Sequence, residues 1–278
     1  MKLGLALSGG GVKGAAHIGV IQALEEENIS IDVISGTSSG SIVLALYAMG
    51  YTTREMRDLF DEFAKVLIET SPKYFITHVK QNKTFLPEGT RSGENIELAV
   101  NEVARYKRMF NIKDIRMPIA IPAVDIVQGK EFVFTNNEHE EEYYLKNVSI
   151  SKAVRASCSF PGIYAPCTYK GHSFLDGGIL NNVPVKEAKK LGADKVIAIK
   201  FEEEKMSKKS NIYSILLRTL DIMTGRIAEE NLKESDYIIE LPIEKVGLLD
   251  ISKLEECYQI GYKKAKELMP EIKEMIGK

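Results

Sequence analysis

The feature that most constrains this chain is a short strand that breaks into a glycine-flanked turn and runs straight on as a helix. Ile31-Asp32-Val33-Ile34 is short and β-branched, and Ile42-Val43-Leu44-Ala45-Leu46-Tyr47-Ala48-Met49 is apolar over a helical length and stopped by Gly50. Between them lies Gly36-Thr37-Ser38-Ser39-Gly40, a G-x-S-x-G pentapeptide in the strand-turn-helix context this motif requires. In that context the Ser38 hydroxyl is held out of the sheet at a helix N-terminus, where backbone N–H groups and the helix dipole favour negative charge. Alone, the pentapeptide fits two readings: a nucleophile elbow, or a plain strand-to-helix turn with small residues at Gly36 and Gly40.

Upstream, Leu3 to Leu7 reads as a buried strand feeding the loop Ser8-Gly9-Gly10-Gly11-Val12-Lys13-Gly14. A helix follows from Ala15 to about Glu27, with Ile18, Ile21, Ala23 and Leu24 on one stripe. The opening is thus βαβα, the pattern of a parallel sheet. Gly9, Gly11 and Gly14 literally satisfy G-x-G-x-x-G. The dinucleotide fingerprint also needs an acid at the far end of the second strand to hold a ribose hydroxyl, and there the chain has Ser35-Gly36-Thr37-Ser38. Asp32 stands at the wrong end of that strand. A phosphate-cradling P-loop fails too, because Lys13 is followed by Gly14 and not by Ser or Thr. What remains is a set of unhindered N–H groups at a helix N-terminus beside Lys13, an anion site. With the first two βα loops adjacent at the carboxyl ends of a parallel sheet, those donors face Ser38 across a crevice. A developing oxyanion suits them, each well-placed donor being worth on the order of 10²–10³ in rate.

Composition narrows the classes further. Lys and Arg number 37 against 39 Asp and Glu, a net charge of −2, so the chain lacks the basic field on which nucleic-acid binding relies. Cys158, Cys167 and Cys257 form no C-x-x-C pair and read as reduced thiols of a cytoplasmic protein. The apolar run Leu3 to Leu7 is too short for a signal sequence or a membrane span, so any contact with lipid is expected to be peripheral. No His/Cys/Asp cluster has ligand spacing, and neither a metal nor another cofactor is expected.

From Thr53 to Glu69, Met56, Leu59, Phe60, Phe63, Val66 and Leu67 fall at helical spacing opposite Arg57, Asp58, Asp61 and Glu62, an amphipathic helix expected to pack on the core. Ser71 to Gly93 is irregular, either a cap over a site or a long connection, and its Phe75, Ile76, Phe85 and Leu86 are candidates for lining an apolar route or for ordinary packing. A helix over about Gly93 to Arg105 is followed by two strands, Pro118 to Val124 and Glu131 to Phe134, joined by a hairpin-like turn. Ser151 to Ser157 reads as a short helix and His172 to Leu175 as a strand ending at Asp176-Gly177-Gly178. Pro184 to Leu191 is a helix and Lys195 to Ile199 a strand. Helices over about Ile212 to Leu232 and Ile251 to Leu268 flank the strand Tyr237 to Leu241. No Pro/Gly/Ser-rich linker interrupts the chain, and one domain over 1–278 is expected.

A serine hydroxyl is a weak nucleophile and needs a base within hydrogen-bond reach. None of the four histidines is well placed. His17 lies inside the first helix and suits loop support, His78 and His139 stand in irregular or acidic segments, and strand alternation turns His172 elsewhere. Asp176 ends a strand with two glycines after it, so its carboxylate is expected near the same sheet edge as Ser38. An ordinary aspartate, with pKa near 3.9, is a poor base, and desolvation raises that value. A plain Asp-Gly-Gly turn is the competing reading.

Ser8 to Gly14, Gly36 to Gly40 and Asp176 to Gly178, together with Ala156-Ser157-Cys158-Ser159-Phe160-Pro161-Gly162-Ile163-Tyr164-Ala165-Pro166, resemble the patatin-like phospholipases. The resemblance spans roughly 2–199, with 200–278 an extension carrying no recognised motif. It implies a three-layer α/β/α fold with a mainly parallel central sheet. It also implies a Ser–Asp dyad, with Ser38 as nucleophile and Asp176 as base, in an elbow framed by Gly36 and Gly40. The N–H groups of Gly9, Gly10 and Gly11 would form the oxyanion hole, in a loop completed by Lys13 and Gly14. Lys13 stands where the family commonly has arginine, keeping the charge and not the planar fork. The implied activity is hydrolysis of acyl esters of amphiphilic lipids through an acyl-serine. The alternatives are an acyl thioesterase, a lipid- or acyl-binding regulator with little turnover, and, less compatible with the serine turn, a nicotinamide-dependent oxidoreductase.

Overall fold

The structure, a computed structural model, describes residues 1–68, 89–202, 212–244 and 246–278. The chain runs β1 (Leu3–Leu7), α1 (Ala15–Glu26), β2 (Val33–Gly36), α2 (Ser39–Ala48) and α3 (Thr53–Ile68). Then come β3 (Gly89–Arg91), α4 (Glu94–Lys107), β4 (Ile119–Asp125), β5 (Lys130–Thr135), β6 (Tyr144–Leu145) and α5 (Ile150–Ser157). They are followed by β7 (Gly162–Tyr164), β8 (Cys167–Tyr169), β9 (His172–Asp176), α6 (Gly178–Asn181), α7 (Val185–Lys190) and β10 (Lys195–Phe201). Last are α8 (Ile212–Leu232), β11 (Tyr237–Leu241), α9 (Leu254–Glu267) and α10 (Met269–Ile276).

β11, β10, β1, β2 and β4 lie side by side and parallel, with β1 at the centre. Every residue of β1 is buried, because helices cover both faces of the sheet. Leu3, Leu5 and Leu7 share a core with Ile18 and Leu24 of α1, Ile42 of α2, Phe60 of α3 and Cys257 of α9. Ala6, on the other face by strand alternation, packs with Val33 and Ala198 against Val185 and Ala188 of α7 and Leu232 of α8. The architecture is a mixed, mostly parallel sheet between helical layers, as the βαβα opening implies. The amphipathic stripe of α3 packs on the core, with Met56, Phe60 and Phe63 all buried. Among the described residues no helix is long and apolar enough to cross a membrane.

The antiparallel part positions the site. β5 pairs antiparallel with β4 from Ala120, opposite Thr135, to Asp125, opposite Lys130, along one edge. The other edge of β4 is shared. β2 takes its start, with Ser35 opposite Ala120, and β9, running the other way, takes its end, with Asp176 opposite Ala123. The carboxyl ends of β2 and β9 therefore approach head to head, and the residues leaving them are Ser38 and Asp176.

Some local elements differ from the sequence reading. β3, β6, β7 and β8 have two or three residues each, too short to show a period of two. The last helix divides at Leu268, where Pro270 fits the first turn of a new helix and not the interior of an old one. His78, Phe75, Ile76, Phe85 and Leu86 lie outside the described residues.

Candidate active site

Ser38 has φ +52° and ψ −124°, a conformation an L-residue adopts at a cost of about 1–3 kcal/mol. It caps α2, whose first turn accepts the strained residue through Ser41: the Ser41 hydroxyl donates to Ser38 O at 2.6 Å, and the Ser41 N–H donates to it at 2.8 Å. The Ser38 N–H donates to Ser157 Oγ at 3.0 Å. The two elbow glycines are there for close backbone approach. A Cβ on Gly36 would stand 2.6 Å from Gly40 O, and one on Gly40 would stand 2.6 Å from Leu7 O. Since backbone cannot swing aside as a side chain can, Gly36→Ala is expected to cost about 2 kcal/mol or more, read as a lowered Tm of the purified protein.

Asp176 is 2 % exposed. Its N–H donates to Ser159 O at 3.0 Å, and its Oδ1 accepts the N–H of Gly178 at 2.8 Å. Gly177 lets the chain turn against β4, where a Cβ would stand 2.3 Å from Pro122 O. Burial pushes the Asp176 carboxyl up to about 7, against the opposing pull of the Gly178 N–H and the neighbouring Ser38 hydroxyl. Ser38 is thus near enough to act on the carboxyl, yet Oδ2 has no partner in good hydrogen-bond geometry.

Ser38 and Asp176 line one crevice of about 570 Å³, open to solvent, together with Gly9, Gly10 and Gly11. The glycine loop divides by role. The Gly9 N–H donates to Asn182, to its backbone O at 3.3 Å and its Oδ1 at 3.1 Å. Among the described residues no acceptor takes the N–H of Gly10 or Gly11. Gly11 has φ +60° and receives Leu248, whose carbonyl accepts the Val12 N–H at 3.0 Å. Gly14 faces away from the crevice, packed where a Cβ would meet Ser39 and Phe60 at 2.8 and 2.9 Å. Lys13 is buried and lines a more polar cavity that adjoins the crevice at Gly9, Gly10 and Asn182, with Lys200, Glu202 and Arg218. On the other side of Ser38 an apolar pocket is walled by Ile42, Cys158, Phe160, Ile163, Tyr164 and Leu249.

Among the described residues no histidine lines the Ser38 crevice. Buried His17 donates from Nε2 to Ser8 O at 2.9 Å, and burial lowers it to about 4, so it supports the loop as a neutral ring. His139 stacks on Tyr144, and His172 Nδ1 lies 2.7 Å from Asp125 Oδ2 on the neighbouring strand. Among the described residues no group of three or more His, Cys, Asp or Glu is placed to hold a metal ion. Three contributors received no role from the sequence reading: Ser157, Asn182 and Leu248. Each meets the site from a distant segment; Ser157 stands in the Ala156–Pro166 stretch that carries the resemblance, whereas the contacts of Asn182 and Leu248 leave no local signal.

The family model for patatin-like phospholipases matches residues 5–189. The chain belongs to the patatin-like phospholipase family. Within that match lie the glycine loop, the serine elbow, the Ala156–Pro166 segment and Asp176-Gly177-Gly178. Among curated relatives, lysophospholipase NTE1 of Meyerozyma guilliermondii is 29% identical over 293 residues, 96% of this chain and 19% of that protein. Lysophospholipase NTE1 of Coccidioides immitis is 30% identical over 320 residues, 98% of this chain and 18% of that protein. The chain therefore spans under a fifth of the length of these relatives. Among solved structures, VipD from Legionella pneumophila aligns with a TM-score of 0.55 at 15% identity, over 97% of this chain and 67% of that one. ExoU of Pseudomonas aeruginosa, in its complex with SpcU, aligns with a TM-score of 0.52 at 18% identity, over 98% of this chain and 52% of that one. These two show the fold.

Proposed function

We propose that this patatin-like protein is a lipid acyl hydrolase working through an acyl-serine on a Ser38–Asp176 dyad. The observation that carries the reading is the crevice lined together by the strained serine, a buried carboxyl raised to about 7, and Gly10 and Gly11, whose N–H groups have no acceptor among the described residues. Asp176 takes the Ser38 proton as the hydroxyl oxygen attacks the carbonyl carbon. The N–H groups of Gly10 and Gly11 receive the oxyanion, and Gly9, already bonded to Asn182, holds the loop in shape. Collapse of the tetrahedral intermediate returns the proton to the leaving alcohol. Water, deprotonated by the same carboxylate, then releases the acid and restores Ser38.

The two cavities beside the glycine loop divide an amphiphile in the same reading: the acyl chain enters the apolar pocket and the alcohol portion faces the polar cavity. The relatives named lysophospholipase make a lysophospholipid the first substrate to test. Contact with lipid is peripheral, and the three free, buried cysteines fit a reducing, cytoplasmic setting.

Incubation with lysophosphatidylcholine and measurement of released fatty acid tests the reading. Release at turnover rates supports it, and binding without release identifies an acyl-binding regulator instead. The pH profile is a sharper check. A base must be ionised to work, so kcat/KM on a soluble ester is expected to be flat above pH about 7 and to fall about tenfold per unit below it. A profile flat down to pH 5 contradicts Asp176 as base.

A further inference from the structure

Ser38 and Asp176 leave strands that do not pair with one another. β2 stops at Ala120 of β4 and β9 reaches only to Ala123, so no ladder bond sets the distance between the two reacting groups. What crosses the gap is the end of α5. Ser157 Oγ accepts the N–H of Ser38 at 3.0 Å, and two residues later Ser159 O accepts the N–H of Asp176 at 3.0 Å. Both serines are fully buried. One short piece of chain thus holds the main-chain N–H of each member of the pair.

That piece is itself pinned by Arg155, which is 3 % exposed. Its guanidinium donates to Ser159 Oγ, to Ser92 O and, at 2.7 Å, to Ala165 O, while the Ser159 hydroxyl donates back to Arg155 O at 2.9 Å. Gly93, with φ +73°, lies against the guanidinium so closely that a Cβ there would meet it at 2.4 Å. Among the described residues no carboxylate is within ion-pair distance of Arg155, and its partners there are two carbonyls and a hydroxyl. Burying a guanidinium in this way is costly unless its planar fork is used. Here the fork ties Ser92, ahead of α4, to Ser159 and Ala165 on either side of β7 in one frame.

We propose that the Arg155–Ser157–Ser159 segment is the alignment element of the site, setting the separation of the Ser38 hydroxyl and the Asp176 carboxylate, with Arg155 and Ser157 as positioning residues. The proposal rests on the Ser38–Asp176 reading above and goes beyond it. The reacting atoms must meet to within a fraction of an ångström, and a displacement of about 1 Å costs on the order of 10² in rate. Losing the frame therefore slows the chemistry and leaves substrate affinity alone, because neither Arg155 nor Ser157 lines the crevice.

The test measures kcat, KM and Tm on a soluble nitrophenyl ester, with the rate of fluorophosphonate labelling, for wild type, Ser157→Ala, Arg155→Ala and Arg155→Lys. Ser157→Ala is expected to lower kcat and the labelling rate about tenfold, with KM within about twofold. Arg155→Ala is expected to lower both about a hundredfold. Added guanidinium ion should restore part of that loss, and Arg155→Lys less of it, since an ammonium lacks the planar fork that spans all three acceptors. Folded variants with wild-type kcat, or a loss confined to KM, overturn the proposal. If Arg155→Ala does not fold, Ser157→Ala, which removes a single oxygen, decides. An active wild type with unaffected variants overturns this inference alone, whereas a wild type that neither hydrolyses the ester nor takes the label overturns the dyad reading as well.

Discussion

Ser38→Ala is expected to abolish ester hydrolysis, a loss on the order of 10⁶ in kcat or to the limit of detection, and to leave the fold intact. The two halves of this expectation have separate causes. The hydroxyl is the only atom removed, and in the proposed mechanism it forms the covalent bond, so nothing else in the crevice substitutes for it. The strain of φ +52° is imposed by the surroundings: Gly36 and Gly40 in close backbone contact, the α2 first turn through Ser41, and Ser157 on the Ser38 N–H. Alanine meets the same surroundings with nearly the same backbone preferences, so Tm should stay within a few degrees. A fluorophosphonate probe should label the wild type on the peptide carrying Ser38 and leave Ser38→Ala unlabelled. Undiminished labelling or hydrolysis by the variant would remove Ser38 from the mechanism and reduce the pentapeptide to the plain turn its small residues also permit.

How much of this arrangement is legible in the sequence follows from the range of each interaction. The strand-turn-helix around Ser38 and the strand-loop-helix around Gly9 are local, each encoded within about twenty residues, and both appear within three residues of where hydrophobic spacing places them. Their adjacency is legible too, because consecutive βαβ units put β1 beside β2 and both turns at the same sheet edge. The position of Asp176 is only half legible. Its strand and its two glycines are visible as a pattern, but that β9 runs antiparallel into the unfilled half of the β4 edge is a property of the whole sheet. Nothing within ten residues of Asp176 records it.

The glycine loop shows the complementary limit. Its glycines read alike in sequence, yet the fold gives them different surroundings: Gly9 bonds Asn182, Gly10 and Gly11 line the crevice with no acceptor on their N–H groups among the described residues, and Gly14 packs against Ser39 and Phe60. The difference is made by Asn182 and Leu248, partners from distant segments that reach the loop through one or two hydrogen bonds each. Leu248 also shows that the stretch beyond Lys200, which carries no family motif, contributes a wall of the crevice. A family motif marks where chemistry is constrained; a wall has only to be apolar and in place, so it leaves no pattern.

Asp176→Asn is expected to lower kcat by about 10³ at pH 8 and, at the same pH, to raise Tm. Asparagine keeps the shape and retains an oxygen for the Gly178 N–H. At the place of Oδ2, however, it puts an amide that donates, where the mechanism needs an acceptor for the Ser38 proton. The stability change has the opposite sign because the carboxylate is charged, buried and short of partners. Its folded-state pKa, raised to about 7, exceeds the unfolded value near 3.9, so the folded protein holds this proton more tightly than the unfolded chain. Wild-type stability from this group is thus fully present below pH about 4 and is lost as pH rises through about 7. The amide of the Asp176→Asn variant does not titrate, so the Tm difference between variant and wild type should grow from pH 4 to pH 7 and then level off. A constant difference across that range would show that the carboxyl is not held neutral by burial, while retained turnover at pH 8 would show that some other group takes the proton. Both measurements come from one protein pair, and they separate the two effects proposed for the buried aspartate: its desolvation costs the fold stability, and in the proposed mechanism that same desolvation makes it a base strong enough to act on a serine.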